Sequence, residues 1–577
     1  MSQSNGSRNG GVPAPSQYPP PVDALDEFVG PPTDAEDDRI EVGVAIVGGG
    51  QAGMACAIRL LQLLEDDPAL AEQLGEVPVA VLEKGKVAGA HQMSGAVMNP
   101  ASIQQLFPDL GPDDWPNYGP VEAERVYFML NKKRAIPLVP TPPPFRNHGN
   151  YVISVAELNR WLAEKAEEAG AYILSETVGA KLLVEDGVVR GVRSGDKGRD
   201  KQGEPLGNFE PGSDVLAKAT VLSEGCWGHL TGAAIKEFEL GSGDPQVWAL
   251  GVKEVWEVEE PLEKIIHTLG WPLRPQAKYR EFGGSWIYPM NREGEKPRVS
   301  IGYVVRLNYA DVRISVHDIL QQFKHHPLVE KILKGGKRVG WGAKAIPEGG
   351  YWAMPKLHAP GMVITGDGAG MVNVPTLKGV HYAIKSGYLA AETIYRQLKA
   401  GSTDFAAYDD AVHDSSIGKD LYESRNMEQP FEKGLVVGGA IVNAMVVTKG
   451  RFPGGHWKTH RDSEVGLLKT DRHLKYPKPD GKYTFDKLSS VFITGNETRD
   501  DAPNHIRIEK HVDRDVAEMW AWMCPAGVYE LPEDAPEEGP VDLIVNYTNC
   551  VQCGAITAKG GRLTPPEGGD GPLYTNT

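Results

Sequence analysis

Near the end of the 577-residue chain, "TNCVQCGAITAKGG" (548–561) sets Cys550 and Cys553 three apart, and Cys524 opens the nearby "CPAGVYE" (524–530). Thiolates at such a spacing are the ordinary ligands of iron–sulfur clusters. A ferredoxin-type run would place another cysteine three residues further on. That position is Ile556, which cannot ligate iron. The chain has five cysteines, with three of them gathered here, too few and too uneven for a disulfide framework, which favours ligands over staples. Three structural thiols without metal are the competing reading. Cys56 and Cys226 read as buried packing residues.

A second chemical motif opens "VGVAIVGGGQAGMACAIRLLQLL" (42–64), an apolar strand running into glycines and then a helical pattern. Gly48 permits the tight turn, Gly50 lets the backbone approach a pyrophosphate, and Gly53 allows close helix–strand packing. The helix N-terminus then faces the phosphates. A following strand, "VPVAVLEKG", ends in Glu83, placed to accept a hydrogen bond from an adenosine ribose. A glycine turn without a ligand would not need this whole strand–turn–helix–strand–acid series.

The motif alone does not separate FAD from NAD, but two distant segments do. "ATVLSEGCWGHL" (219–230) is a strand ending at Glu224, and "MVITGDGAGMVNVPTLKGVHYAIKSGYLAAETI" (362–394) runs from a strand through Gly366 and Asp367 into a long helix. That helix can aim its amides at flavin phosphate or ring, with Asp367 near the ribityl chain. A chain that returns twice to its cofactor suits tightly held FAD. Between these segments, "YREFGGSWIYPM" sets Gly283 and Gly284 in an apolar strand. Paired strand glycines mean either a bulge or backbone exposed to a flat ligand.

These sites need elements to hold them: an α/β strand–turn–helix–strand unit for the nucleotide, an apolar strand for the glycine pair, and a C-terminal segment for the cysteines. The net charge of −17 argues against nucleic acid as a partner. Residues 1–40 are rich in Pro, Ser and Gly and read as a disordered tail without a targeting signal. No stretch approaches the roughly 20 apolar residues of a membrane span. "GLVVGGAIVNAMVV" (434–447), flanked by Lys433, Lys449 and Arg451, reads either as a segment dipping into one leaflet or as a core helix.

Past residue 40 the chain resembles the electron transfer flavoprotein–ubiquinone oxidoreductase family. The resemblance rests on the Gly48–Gly53 loop, "GAHQMSGAVMNP" (89–100), "NHGNYVIS" (147–154), "EGCWGHL" and "FKHHPLVEKILKGGKRVGWGAKAIPEGG" (323–350). It continues through "NVPTLKGVHYAIKSGYLAAE", "YPKPDGKYTFDKLSSV" (476–491), "CPAGVYE", "NCVQC" and "PPEGGDGP", all in one order. It implies a glutathione-reductase-like FAD domain at 41–270 and 355–475 with a membrane-surface segment at 434–447. A ubiquinone domain at 271–354 and a ferredoxin-like iron–sulfur domain at 476–577 complete the arrangement.

The resemblance further implies an enzyme that accepts electrons from reduced electron transfer flavoprotein and reduces ubiquinone, attached peripherally to a respiratory membrane. The cytoplasmic face of a bacterial inner membrane is the expected location. It places the quinone carbonyl at Gly283 and Gly284, and cluster ligation at Cys524, Cys550 and Cys553. Because Ile556 takes the fourth cysteine's place, a [4Fe–4S] cluster with another ligand, a [3Fe–4S] cluster and loss of the cluster all stay open. No acid–base side chain is nominated. The alternatives are a related FAD oxidoreductase of isoprenoid-reductase type without a cluster, and a silent flavin-binding partner in a membrane complex.

Overall fold

The computed structural model describes residues 12–35, 38–468 and 474–577. The nine residues of β1 (Arg39–Val47), buried from Val42 onward, lead through the glycine loop into α1 (Gln51–Glu65) and then β2 (Val79–Leu82). After β3 (Glu124–Asn131) and α2 (Val155–Glu168), β4 (Asp214–Leu222) and α3 (His229–Glu237) return to the first sheet. Its centre is parallel: Tyr172–Leu174 pairs β2, β2 pairs β1, and β1 pairs β4. Fully buried runs such as "VAVL" in β2 are what a parallel sheet covered on both faces requires.

The second sheet comprises β5 (Trp248–Glu257), β6 (Ile265–Gly270), β7 (Gly283–Pro289) and β8 (Arg298–Arg306). Helix α4 (Val316–Lys324) then precedes the sheet's edge strand β9 (Lys337–Pro347). In space the order is β9-β5-β8-β7-β6-β3, with Arg134–Pro137 at the far edge. All the pairs are antiparallel except β6 with β3. The sheet therefore starts at Trp248 and borrows β3, whereas the sequence division at residue 271 assigns β3, β5 and β6 to the FAD domain. β5 is buried on both faces, so its pattern carries no boundary signal.

The chain re-enters the first sheet as β10 (Met362–Ile364), parallel to β4, and continues into α5 (Val380–Lys399). Gly387 lets α5 lie on α1, since a Cβ there would stand 2.0 Å from the Ala52 carbonyl oxygen. Helix α6 (Leu435–Val447) follows, and then a C-terminal domain of α7 (Arg514–Met523) with three two-stranded ribbons. Trp520, Cys524 and Val512 pack in one core with Trp256 and Trp341 of the second sheet.

The expected tail is partly corrected. Residues 1–11 and 36–37 lie outside the described residues, but Asp23 caps a short helix, Ala24–Phe28, and Val29–Gly30 pairs with Leu182–Leu183. Phe28 is buried, and Glu27 accepts hydrogen bonds from Arg507 (2.8 Å) and Arg562 (2.6 Å). A composition unable to build a core of its own is ordered here by a sheet edge and by distant arginines.

The second sheet and the C-terminal domain are joined through Glu254 of β5. Its fully buried carboxylate accepts from Lys324 (2.8 Å), Gln321 (2.9 Å) and Trp256 (2.7 Å), with Arg338 at 3.5 Å. Burial alone would raise this carboxyl; Lys324 and Arg338 bring it below the usual carboxylate range. Both cations lie over the Phe485 ring, whose backbone amide donates to Gln321. Removing one member of a buried ionic group strands the others at a cost of about 3–5 kcal/mol. Glu254→Leu should therefore lower stability by that order in chemical denaturation, and Glu254→Gln by less.

Candidate functional site

The C-terminal ends of β1, β2, β4 and β10 open on a cavity of about 380 Å³. Gly48, Gly50, Glu83, Glu224, Gly366 and Asp367 all line it. Ligand sites fall at this end of parallel sheets, where helix N-termini and loops converge. Gly48 has φ 101°, and a Cβ there would meet the Ser223 carbonyl oxygen at 2.4 Å. Gly53 has the Gly48 carbonyl oxygen 2.2 Å from where its Cβ would stand. At Gly50 only the Gln92 side chain, at 3.1 Å, comes near, so this backbone is bare toward the cavity.

The acids behave differently from one another. Glu83 accepts from the amides of Gly49 (3.0 Å) and Gly85 (2.7 Å), which holds its carboxylate at the glycine loop with lone pairs to spare. Burial pushes its pKa up, against those two bonds. Glu224 caps α3: it accepts from the amides of Leu230 (3.2 Å) and Thr231 (2.6 Å) and from the Thr231 hydroxyl (2.8 Å). Its carboxylate is thus committed within the protein. Asp367 is raised to about 6 by burial, with Lys344 opposing. The first turn of α5 reaches the same cavity through Gly379, Val380 and Ala383.

The second sheet closes the far side. Trp286 and Tyr288 of β7 and Val304 of β8 line the cavity, but Gly283 and Gly284 themselves are not on its wall. They pair with Val305 and Val304, and a Cβ on Gly283 would be 2.0 Å from the Val304 carbonyl oxygen. Close strand packing is therefore one reason for these glycines.

The cysteine loop supplies the remaining wall. Gln552 and Gly554 line the cavity, with Cys553 between them and Cys550 two residues before Gln552. Lys84 donates to the Gln552 side chain (2.7 Å), Lys344 to its carbonyl (3.1 Å), and the Ala345 amide to the Cys553 carbonyl (2.7 Å). Trp227 packs against Gly554 and stacks on Trp248 at 3.6 Å between ring centroids. Two of the cysteine sulfurs accept from backbone amides: Val528 donates to Cys524 (3.4 Å) and Gln552 to Cys550 (3.4 Å). Burial pushes the Cys553 thiol up to about 12, with Cys524 adding to the rise. Cys56 is buried as expected, whereas Cys226 is only half-buried and faces the cavity.

The residues fit FAD well. The bare backbone at Gly50 is joined by cavity-lining polar atoms that lack a protein partner, His91 Nδ1 and Trp227 Nε1. A four-cysteine cluster fits less well. Among the described residues no three His, Cys, Asp or Glu side chains stand ready to hold a metal ion, and the fourth corner falls on buried Ile556. Cys524, Cys550 and Cys553 are the thiols available to such a cluster, and two of them accept from backbone amides. Sequence reading missed Lys84, Lys344, Trp227 and Gln552, because their shared wall is assembled from four distant segments and has no local spacing.

This fold and cavity define a Rossmann-type flavoprotein of the FAD-dependent oxidoreductase class. A geranylgeranyl bacteriochlorophyll reductase-like protein from Thermoplasma acidophilum shares the fold, with TM-score 0.54 and 18% identity over 71% of this chain and 92% of that one. "ETF-QO, ubiquinone-binding" matches residues 248–346, and "Electron transfer flavoprotein-ubiquinone oxidoreductase, 4Fe-4S" matches 481–575. The mitochondrial electron transfer flavoprotein-ubiquinone oxidoreductase of Caenorhabditis elegans is 36% identical, covering 92% of this chain and 91% of the relative. The mouse protein is 38% identical (92% and 89%), and that of Pseudomonas aeruginosa 37% (94% and 100%). The chain belongs to the electron transfer flavoprotein–ubiquinone oxidoreductase family. FAD and an iron–sulfur cluster are the cofactors of that membership.

Two outcomes test the site. Gly50→Val places a branched side chain on this backbone, where only the mobile end of the Gln92 side chain must give way, so it should weaken FAD binding at least about tenfold, or some 1.4 kcal/mol, at unchanged secondary structure. Flavin content against circular dichroism reads this. Anaerobic reconstitution should load about three irons per chain, and Ile556→Cys should raise that toward four, as counted by iron and sulfide analysis.

Proposed function

We infer that this chain takes electrons from reduced electron transfer flavoprotein and passes them in pairs to ubiquinone at a membrane surface. It would thus act as an electron-transferring-flavoprotein dehydrogenase. The observation that carries the reading is the shared wall: one cavity is lined by the glycine loop, by the loop bearing Cys550 and Cys553, and by the strand bearing Gly283 and Gly284. An isoprenoid-reductase-like activity has no use for that cysteine loop, and the family membership does not favour it.

Bound FAD supplies the store that a one-electron donor and a two-electron acceptor need between them. Gly48, Gly50 and Gly53 admit its pyrophosphate to the N-terminus of α1, where free amides favour anions. Glu83 takes ribose hydroxyls with its remaining lone pairs, and Gly366 and Asp367 abut the ribityl side. Glu224 acts through its cap on α3, which sets Gly225–Trp227 against the cavity. Gly283 and Gly284 turn backbone toward the quinone carbonyl from the rim rather than the wall. Cys524, Cys550 and Cys553 hold iron beside Gln552.

The membrane contact is α6. The alternative of a core helix does not hold: of its residues only Gly438 and Met445 are buried, while Val436 is 73% and Val447 83% exposed. Phe452 just beyond is 66% exposed, and Lys433, Lys449 and Arg451 are exposed around it. Among the described residues no helix is long and apolar enough to cross a membrane. An apolar helix bracketed by cations suits one leaflet, on the cytoplasmic face of a bacterial inner membrane.

In the decisive experiment, reduced electron transfer flavoprotein should bleach the flavin and ubiquinone should restore it; a flavin that quinone leaves bleached refutes the reading. With Val436→Asp and Val447→Asp together, vesicle binding should fall by two orders of magnitude or so, each buried valine being worth roughly 1.5–3 kcal/mol. Flavin content should stay unchanged, as read by vesicle co-sedimentation.

A further inference from the structure

Around the start of β5 lies a group of charges to which the site above assigns no work. Ala249 pairs with Arg306 on one side and with Ile346 on the other, and Glu348 follows two residues after Ile346. Trp248 donates its amide to Asp462 (2.8 Å), and the Glu348 amide donates to the Val247 carbonyl (2.7 Å). Glu428 forms an ion pair with Arg306. Arg306, Glu348, Glu428, Asp462 and Lys559 are all buried. Glu348 Oε2, Glu428 Oε2 and Asp462 Oδ1 have no hydrogen-bond partner.

Three buried carboxyls against two buried cations leave one negative charge unmatched. Such a charge is costly to keep, so the group is most stable with a proton on one carboxyl. The carboxyls also alter one another's proton affinity. Burial, then Glu428, raises Glu348 to about 8, with Arg306 opposing. Burial raises Glu428 to about 7, opposed by Arg306 and aided by Asp462 and Glu432. Asp462 is raised to about 6, again by burial, with Arg306, Lys559 and Arg280 opposing.

The group has two ends. Glu348 lines the flavin cavity with Val304 and Tyr288. Glu428 leads into the turn Gln429–Lys433, where half-exposed Glu432 pairs with Arg280 (2.7 Å) immediately before the exposed helix α6. Between the ends, the Arg306 amide donates to the Phe282 carbonyl (2.9 Å), one residue before Gly283, and Phe282 stacks on Phe431 at 3.9 Å.

We propose that Glu428, ion-paired to Arg306, and Glu348, whose Oε2 has no partner, carry protons from the surface at Arg280–Glu432 to quinone bound beside Gly283. This rests on the reading of the chain as a ubiquinone reductase. Quinone becomes quinol by gaining two electrons and two protons. The electrons originate in reduced electron transfer flavoprotein. Each proton moves as a carboxyl O–H bond breaks and a quinone O–H bond forms, and the carboxylate left behind is reprotonated from water through its neighbour. The sign of the pH dependence follows. The carboxyls hold protons below about 7 to 8, so quinone-driven flavin reoxidation is fastest there and slows as pH rises through that range.

The test is stopped-flow reoxidation of dithionite-reduced holoenzyme by a short-chain ubiquinone and, separately, by ferricenium, which takes an electron and no proton. Glu428→Gln should slow quinone reoxidation about 10²-fold, the usual worth of a positioned proton donor, and abolish its decline above neutral pH. Its flavin content and ferricenium rate should not change. Glu428→Asp should regain most of the quinone rate, and the wild type should show a solvent deuterium effect with quinone alone. A Glu428→Gln variant, or a Glu348→Gln variant, that keeps the wild-type quinone rate and pH profile overturns the relay. Absence of the deuterium effect in the wild type does so independently of any variant's folding. A wild type that ferricenium reoxidises but quinone does not overturns the quinone reading itself.

Discussion

A carboxylate with no access to water has to be matched by the protein, and Glu254 is matched from three directions at once. Its partners come from α4, from the first residues of β9 and, through the Phe485 ring and amide, from the C-terminal segment. Those are the elements that must stay in register if the cysteine loop is to remain against β9, where the Ala345 amide holds the Cys553 carbonyl. Burying an ion group adds little net stability compared with apolar packing, but it tolerates few alternative arrangements. The Glu254 group thus ties the second sheet to the C-terminal segment that carries the cysteine loop.

The cavity shows how backbone and side chain divide the work. Close approach is left to glycines, at Gly48 by a positive φ and at Gly53 by helix–strand contact. Charge on the wall is engaged by the protein: Glu83 accepts from two glycine amides, Glu224 spends its carboxylate on α3, and Lys84 and Lys344 clamp Gln552, a neutral amide beside the thiols. Fixed dipoles and neutral partners there let the protein tune potential without a mobile ion beside the electron path.

What was legible in the sequence was whatever depends on local spacing. The glycine loop, Glu83 at the end of its strand, the cysteine pair and the apolar run before Lys449 each lie within one element and its neighbour. The helix at 435–447 could be located but not assigned to core or surface, because uniform apolarity has no face to read. The start of the second sheet was misplaced because β5 is buried on both sides, and β3 joins it from more than a hundred residues away. The Glu254 and Arg306 groups escaped for the same reason: each gathers charges from several elements, and charge in a sequence reads as solvent-facing until the fold shows that it is buried.

The flavin cavity is lined from Val47 to Pro565, with contributions from both sheets and the C-terminal domain. A ligand that binds only this assembled form stabilises all of it together, by mass action. Cofactor supply therefore acts on the protein's lifetime as well as on its activity. When flavin is scarce, that added stabilisation is lost and sub-globally open forms, the substrates of proteolysis, become more populated. Loss of cofactor would then shorten the protein's lifetime as well as lower its activity.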